Sequence, residues 1–184
     1  MLSGQRIHSA IMNTDIAFSG AVRGNSLLLT LGRNLQEFTD RPGLVVEPWE
    51  EASASEGYAS AKRDWETYDL LPRRSVLISA REHIRLPADI AGAIGTLSHV
   101  ARLGLFAHFA SPFVGPRFSG YLCLEILNVS GHILRLKEGM PVAKVVLFRT
   151  EGTDPEQGIG SIPFYYNSQP DDRIDLRSRF FEEF

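Results

Sequence analysis

Residues 86–128 read LPADIAGAIGTLSHVARLGLFAHFASPFVGPRFSGYLCLEILN, and the patterning of this stretch decides the fold. It holds two strand-like apolar runs, GLFAHFA (Gly104 to Ala110) and YLCLEILN (Tyr121 to Asn128), separated by a Pro- and Gly-containing turn. Just before them, Ser98 to Leu103 predicts a single short helix, with Ser98 as its N-cap and Gly104 as its stop. In the second run a period of two puts Tyr121, Cys123, Glu125 and Leu127 on one face, and Leu122, Leu124, Ile126 and Asn128 on the other. Glu125 is thus a lone carboxylate in an apolar strand. A buried charge is costly unless it is paired and hydrogen-bonded. Arg102 and Ser98, four positions apart and so on one side of the predicted helix, are the candidate partners. Two readings stay open for Glu125: a structural ion pair or solvent-facing strand residue, or a general acid/base.

Further strands are predicted on either side. Asn25 to Leu31 (NSLLLTL) stops at Gly32; Ser75 to Ala80 (SVLISA), His132 to Leu136 (HILRL) and Val142 to Phe148 (VAKVVLF) follow. Leu2 to Met12 reads as a short helix capped by Ser3. Residues 48–64, with EEASASEGYASAK at their centre, read as an exposed excursion, partly helical. Short strands between Gly, Pro and Asn turns predict an all-β fold with short helices, a sandwich or barrel. The expected organisation is one β domain over residues 1–149, then a tail over 150–184 that docks on its own body or on a neighbouring subunit.

Composition narrows the function. A length of 184 residues fits one domain. With 43% apolar residues and a net charge of −3, the chain can fill a core and lacks the basic footprint of a protein that coats polymeric nucleic acid. There is one cysteine, Cys123, so neither an internal disulfide nor the paired Cys-x-x-Cys of zinc deaminases is available. No metal site is expected. The N-terminus carries no signal-peptide pattern, and no apolar run approaches the roughly 20 residues of a membrane helix. A cytoplasmic protein without membrane contact is the expectation.

The long stretch quoted above, in its segments LPADI, TLSHVARLGL, VGPRFSG and LEILN, resembles the central block of bacterial dCTP deaminases. There the corresponding segments run approximately LPADL, GRSSLARLGL, IDPGW-SG and LEF-N. NVSGHILRLKEGMPVAKVVLF (residues 128–148) resembles the next family segment, and NSLLLTLG (residues 25–32) the family's SLDLRLG strand. The resemblance implies a dUTPase-like distorted β-barrel or jelly-roll that assembles as a homotrimer, with sites between subunits and no zinc. It implies deamination of a cytosine deoxynucleotide, dCTP to dUTP, with magnesium entering only as a partner of the triphosphate. It places the catalytic glutamate at Glu125, the arginine of the short helix at Arg102 and the serine at its start at Ser98. Glutamate can move protons between water, ring and leaving ammonia, while arginine and serine orient carboxylate and water.

The chain also departs from the family pattern. Leu97 stands for an arginine and His99 for a second serine where the helix start grips phosphate. Phe113 stands for another arginine, Gly115 for the turn aspartate and Leu28 for the strand aspartate, and no family lid motif is present in the tail. Gly115 argues against ordinary dUTPase activity, which uses the turn carboxylate. His99, Ser111 and Arg117 are the candidate nucleotide-binding residues, with Arg173, Arg177 and Arg179 as further replacement cations. The alternatives are a non-catalytic trimeric module that binds nucleotide or is purely structural, and a deaminase acting on a nucleotide with fewer phosphates. His108 reads as a packed or hydrogen-bonded structural histidine. Phe180, Phe181 and Phe184 read as tail-docking residues or as a cover for a neighbour's base.

Overall fold

The computed structural model describes residues 1–47, 50–59, 62–110 and 112–151. The chain opens with helix α1 (Gly4–Met12), followed by short strands β1 (Ala17–Phe18) and β2 (Val22–Arg23) and long β3 (Ser26–Glu37). Helix α2 (Glu51–Glu56) lies in the polar excursion, ahead of β4 (Lys62–Arg63) and β5 (Thr67–Leu70). The centre runs β6 (Ser75–Arg85), β7 (Ile90–Thr96), α3 (Ser98–Ala101), β8 (Leu105–Phe106), β9 (Phe113–Val114) and β10 (Ser119–Asn128). Strands β11 (Leu134–Lys137) and β12 (Pro141–Arg149) complete the described chain.

Ten strands form one curled sheet, ordered β8-β10-β6-β3-β12-β7-β9, with β1 on β6 and β2 and β4 on β3; β5 and β11 pair separately. Alternation drives the burial. Leu27, Leu29, Leu31, Leu35, Ile78, Ile84, Leu124, Ile126, Val145 and Leu147 are fully buried, each stabilising the fold by roughly 1.5–3 kcal/mol relative to exposure. The Ser3 hydroxyl caps α1 by accepting from the Arg6 N–H, and α1 lays buried Ile7 on the core. Bulges shift the register in β10 between Tyr121 and Cys123 and in β3 between Leu31 and Leu35. Near them buried Glu82 accepts the backbone N–H of Thr30 at 2.8 Å and its hydroxyl at 2.6 Å, which pairs an amide that would otherwise be costly to bury.

Several boundaries differ from the sequence expectation; HILRL, for one, is a strand only over Leu134–Lys137. Gly32 does not end its strand: β3 runs on to Glu37, because glycine there admits the Ser79 carbonyl of the neighbouring β6, which a Cβ would strike. Ser98 is the first helical residue of α3 and not its cap. Extended Leu97 holds the cap position without a side-chain bond, its N–H donating to the Val142 carbonyl. The helix ends at Ala101 with Arg102 as its C-cap, short of the expected Leu103, and Gly104, with φ at 89°, closes the turn that follows.

Candidate active site

Strand β10 carries Glu125, the centre of the candidate site. Leu122, Leu124, Ile126 and Asn128 are buried, while Tyr121, Cys123, Glu125 and Leu127 are half-buried on the outward face, so Glu125 is not in the core. Across β6 its direct partner is Leu77, and Gln36 of β3 lies opposite Leu77 in turn. The end of the excursion packs beside this face: Gln36 donates to the Ala59 carbonyl, and Tyr58 stacks on Phe38. Burial pushes the Cys123 thiol up to about 12, and the charge of Glu125 adds to the rise. The Tyr58 phenol is pushed up by burial, then by Cys123. Both groups are therefore neutral at ordinary pH.

The contact Glu125 makes is with His108. Its Oε2 lies 2.5 Å from His108 Nδ1, with the side chains 23% and 9% exposed. The two atoms are in contact but not aligned as a conventional hydrogen bond, and both are fully buried. The remaining exposure of Glu125 therefore falls on its other atoms. The expected partners are exposed, Ser98 on α3 and Arg102 at its C-cap, as is His99, and within one chain neither bonds to Glu125. Among the described residues the Arg102 side chain has no ionic or hydrogen-bond partner. Sequence alone could not rank His108 above Arg102, because the loop that follows Phe106 sets its direction.

Helix α3 is nonetheless anchored at the Glu125 end of β10. Asn128 ends the strand as a buried four-way tie. Its amide donates to the Leu70 and His132 carbonyls at 3.0 and 2.8 Å, and its oxygen accepts from the N–H and hydroxyl of Ser130. Val129 N–H then donates to the Gly104 carbonyl at 2.9 Å, and Gly104 approaches Ser130 so closely that a Cβ would collide with it. The Asn of LEILN thus shapes the turn after β10, and the Val129-to-Gly104 bond beside it ties the end of the α3 segment to that strand.

The turn Gly115–Phe118 lies at the other end of β10. Phe118 N–H donates to the Gly115 carbonyl, Pro116 sits at the second position, and Arg117 takes φ +63°, where glycine is the usual residue. Arg117 stands eight positions before Glu125, about 25 Å away along an extended strand. Phe113 is 70% exposed. Leu97 and Gly115 are half-buried. Ser111, Arg173, Arg177, Arg179, Phe180, Phe181 and Phe184 lie outside the described residues. Among the described residues no group of three His, Cys, Asp or Glu side chains could hold a metal, and no helix is long and apolar enough to cross a membrane.

A curled ten-stranded sheet with a carboxylate on one outward face and a short helix tied to the same strand end defines a dUTPase-like β protein. The solved dCTP deaminase of Agrobacterium tumefaciens shares this fold, with a TM-score of 0.60 at 16% identity over 79% of this chain; the match spans about half, 47%, of that structure's chain. The family model described as dCTP deaminase-like matches residues 1–150, and the chain belongs to that family. Three relatives carry the name "dCTP deaminase, dUMP-forming". That of Methanoregula boonei is 32% identical over 71% of this chain and 69% of its own length. That of a Parafrankia species is 31% identical over 90% and 81%, and that of Corynebacterium kroppenstedtii 29% over 92% of each. These relatives are enzymes by name.

Proposed function

We propose that the protein deaminates a cytosine deoxynucleotide, converting dCTP and water to dUTP and ammonia without zinc. The observation that carries this reading is the half-buried carboxylate of Glu125, held from behind by His108 and backed by neutral Cys123. Glu125 takes a proton from water as its oxygen adds to C4 of the ring, and passes that proton to N3. Collapse of the tetrahedral intermediate transfers the hydroxyl proton through the same carboxylate to the departing amine, leaving uracil and ammonia. Ser98 and Arg102, at the same end of β10, orient the water. His99 lies beside them as a candidate phosphate contact.

Arg117 is too distant to serve Glu125 of its own chain. It meets a nucleotide there only if a neighbouring copy supplies the turn, which is what a homotrimer with sites between subunits provides. In this reading residues 1–149 are the body of each subunit; the expected tail, 150–184, lies beyond residue 151 outside the described residues. Gly115 offers no carboxylate to activate water against a phosphate, so the product is dUTP, whereas the relatives' names specify dUMP. Magnesium accompanies the triphosphate and is not held by the protein.

A second reading, a trimeric nucleotide-binding module without catalysis, draws support from Leu97, Phe113 and Gly115, which lack the charged groups of the family pattern. One experiment separates the readings. The protein is incubated with dCTP, dCDP or dCMP, ammonia is measured, and nucleotides are resolved by anion exchange. Ammonia with matching dUTP supports the enzyme and its product; ammonia with dUMP transfers it to the relatives' reaction. Binding without ammonia from any of the three leaves the non-catalytic module. Light scattering should report about three times 20.5 kDa.

A further inference from the structure

Strand β8 is two residues long, yet it sets the surroundings of Glu125. Burial alternates along it and beyond: Leu105 is buried, Phe106 exposed, Ala107 buried and His108 half-buried. Ala107 is fixed inward, its N–H donating to the Thr96 hydroxyl at 3.0 Å. Phe106 and His108 therefore share the outward face. In the pairing of β8 with β10, Phe106 lies directly opposite Leu127, and Leu127 is on the Glu125 face of its strand.

Phe106 is thus the diagonal neighbour of Glu125. Diagonal positions on one face of an antiparallel pair lie roughly 7–8 Å apart, within reach of an aromatic side chain. An exposed phenylalanine alone says nothing about function. This one is 44% exposed beside a carboxylate whose buried oxygen is taken by His108. It offers a flat apolar surface bordering the part of Glu125 that remains accessible. Such a pair suits a planar heteroaromatic ring with an amino group at its edge: the ring lies on the phenyl face and the amino-bearing carbon faces the carboxylate.

We propose that Phe106 is a base-contacting residue, its ring forming one wall of the nucleotide site against which the cytosine stacks beside Glu125. This rests on the deaminase reading above and adds a specificity determinant to it. The wall recognises the base and not the phosphates, so it acts on every cytosine nucleotide whatever its phosphate count.

The test compares wild type with Phe106→Ala, Phe106→Leu and Phe106→Tyr in the full chain. Affinities for dCMP, dCTP and inorganic tripolyphosphate are measured by calorimetry, and KM and kcat by ammonia release. Stacking of a base on an aromatic side chain is worth about 1–3 kcal/mol, so Phe106→Ala should weaken nucleotide binding and raise KM by roughly 5- to 150-fold with kcat changed far less. Phe106→Leu should recover only part of the loss, Phe106→Tyr most of it, and tripolyphosphate binding should not change. Deamination with unaltered nucleotide affinity and KM in Phe106→Ala overturns the inference and leaves the deaminase reading intact. So does a shift of the trimer toward monomer that fully accounts for the weakened binding. Wild type that neither binds nor deaminates any cytosine nucleotide removes both.

Discussion

Replacing Arg117 by glycine should make the protein more stable while weakening its grip on nucleotide. Arg117 is a non-glycine residue at φ +63°, locked between Pro116 and the Phe118-to-Gly115 hydrogen bond. The left-handed conformation costs an L-residue about 1–2 kcal/mol. Glycine removes that strain but gains freedom in the unfolded chain, which returns about 0.4–1 kcal/mol. The net expected gain is about 1 kcal/mol, or about 2–4 °C in Tm for a chain of this size. Calorimetry measures it, and urea unfolding checks it, since the midpoint should rise with an unchanged slope. Strain retained at one turn is consistent with a side chain kept for its contacts, so dCTP affinity should fall as Tm rises. An Arg117→Gly protein with equal or lower Tm would refute the strain argument. A higher Tm with unchanged dCTP affinity would refute the role in binding.

Three further outcomes are expected. His108→Ala frees Glu125 to move, and misplacing a catalytic group by about 1 Å can cost about 10²-fold in rate; kcat should fall on that scale with KM little changed, and His108→Gln should recover part of it. The Cys123 thiol titrates at about 12 in the folded protein against 9.0 ordinarily. Between those pH values only the unfolded chain has lost the proton, so stability should decline above pH 9 by up to about 1.4 kcal/mol per pH unit. Cys123→Ala should remove that component in urea titrations, leaving the share of the raised phenols Tyr58 and Tyr68. Deamination should survive prolonged treatment with a zinc chelator, since Cys123 has no thiolate partner; zinc-reversible loss would contradict the mechanism.

Much of the fold was legible because strand alternation is local. YLCLEILN, SVLISA and VAKVVLF all lie in strands, and the faces read for Tyr121 to Asn128 are those observed. The helix over Leu2 to Met12 and its Ser3 cap follow from the same short-range chemistry. Strand β7, IAGAIGT, was missed because its glycines carry no side-chain period; Gly92 is needed where a Cβ would strike Val145 of β12. GLFAHFA read as a full strand, but only Leu105–Phe106 pairs, since the chain bends at Ala107, whose N–H donates to the Thr96 hydroxyl and not to β10. The polar 48–64 excursion did contain a helix, α2. The site was half legible. Glu125 announced itself as a carboxylate among apolar residues, whereas the tie made by Asn128 and the approach of His108 depend on contacts that no local pattern encodes.

The central claim is that Glu125 moves the protons. Glu125→Gln keeps the shape of the side chain and removes the base, so ammonia release from dCTP should fall about 10²–10⁴-fold while dCTP affinity and Tm stay near wild type. If Glu125 serves only as a structural charge beside His108, the same substitution should instead lower Tm and leave whatever deamination the wild type shows largely intact. That result would contradict the account.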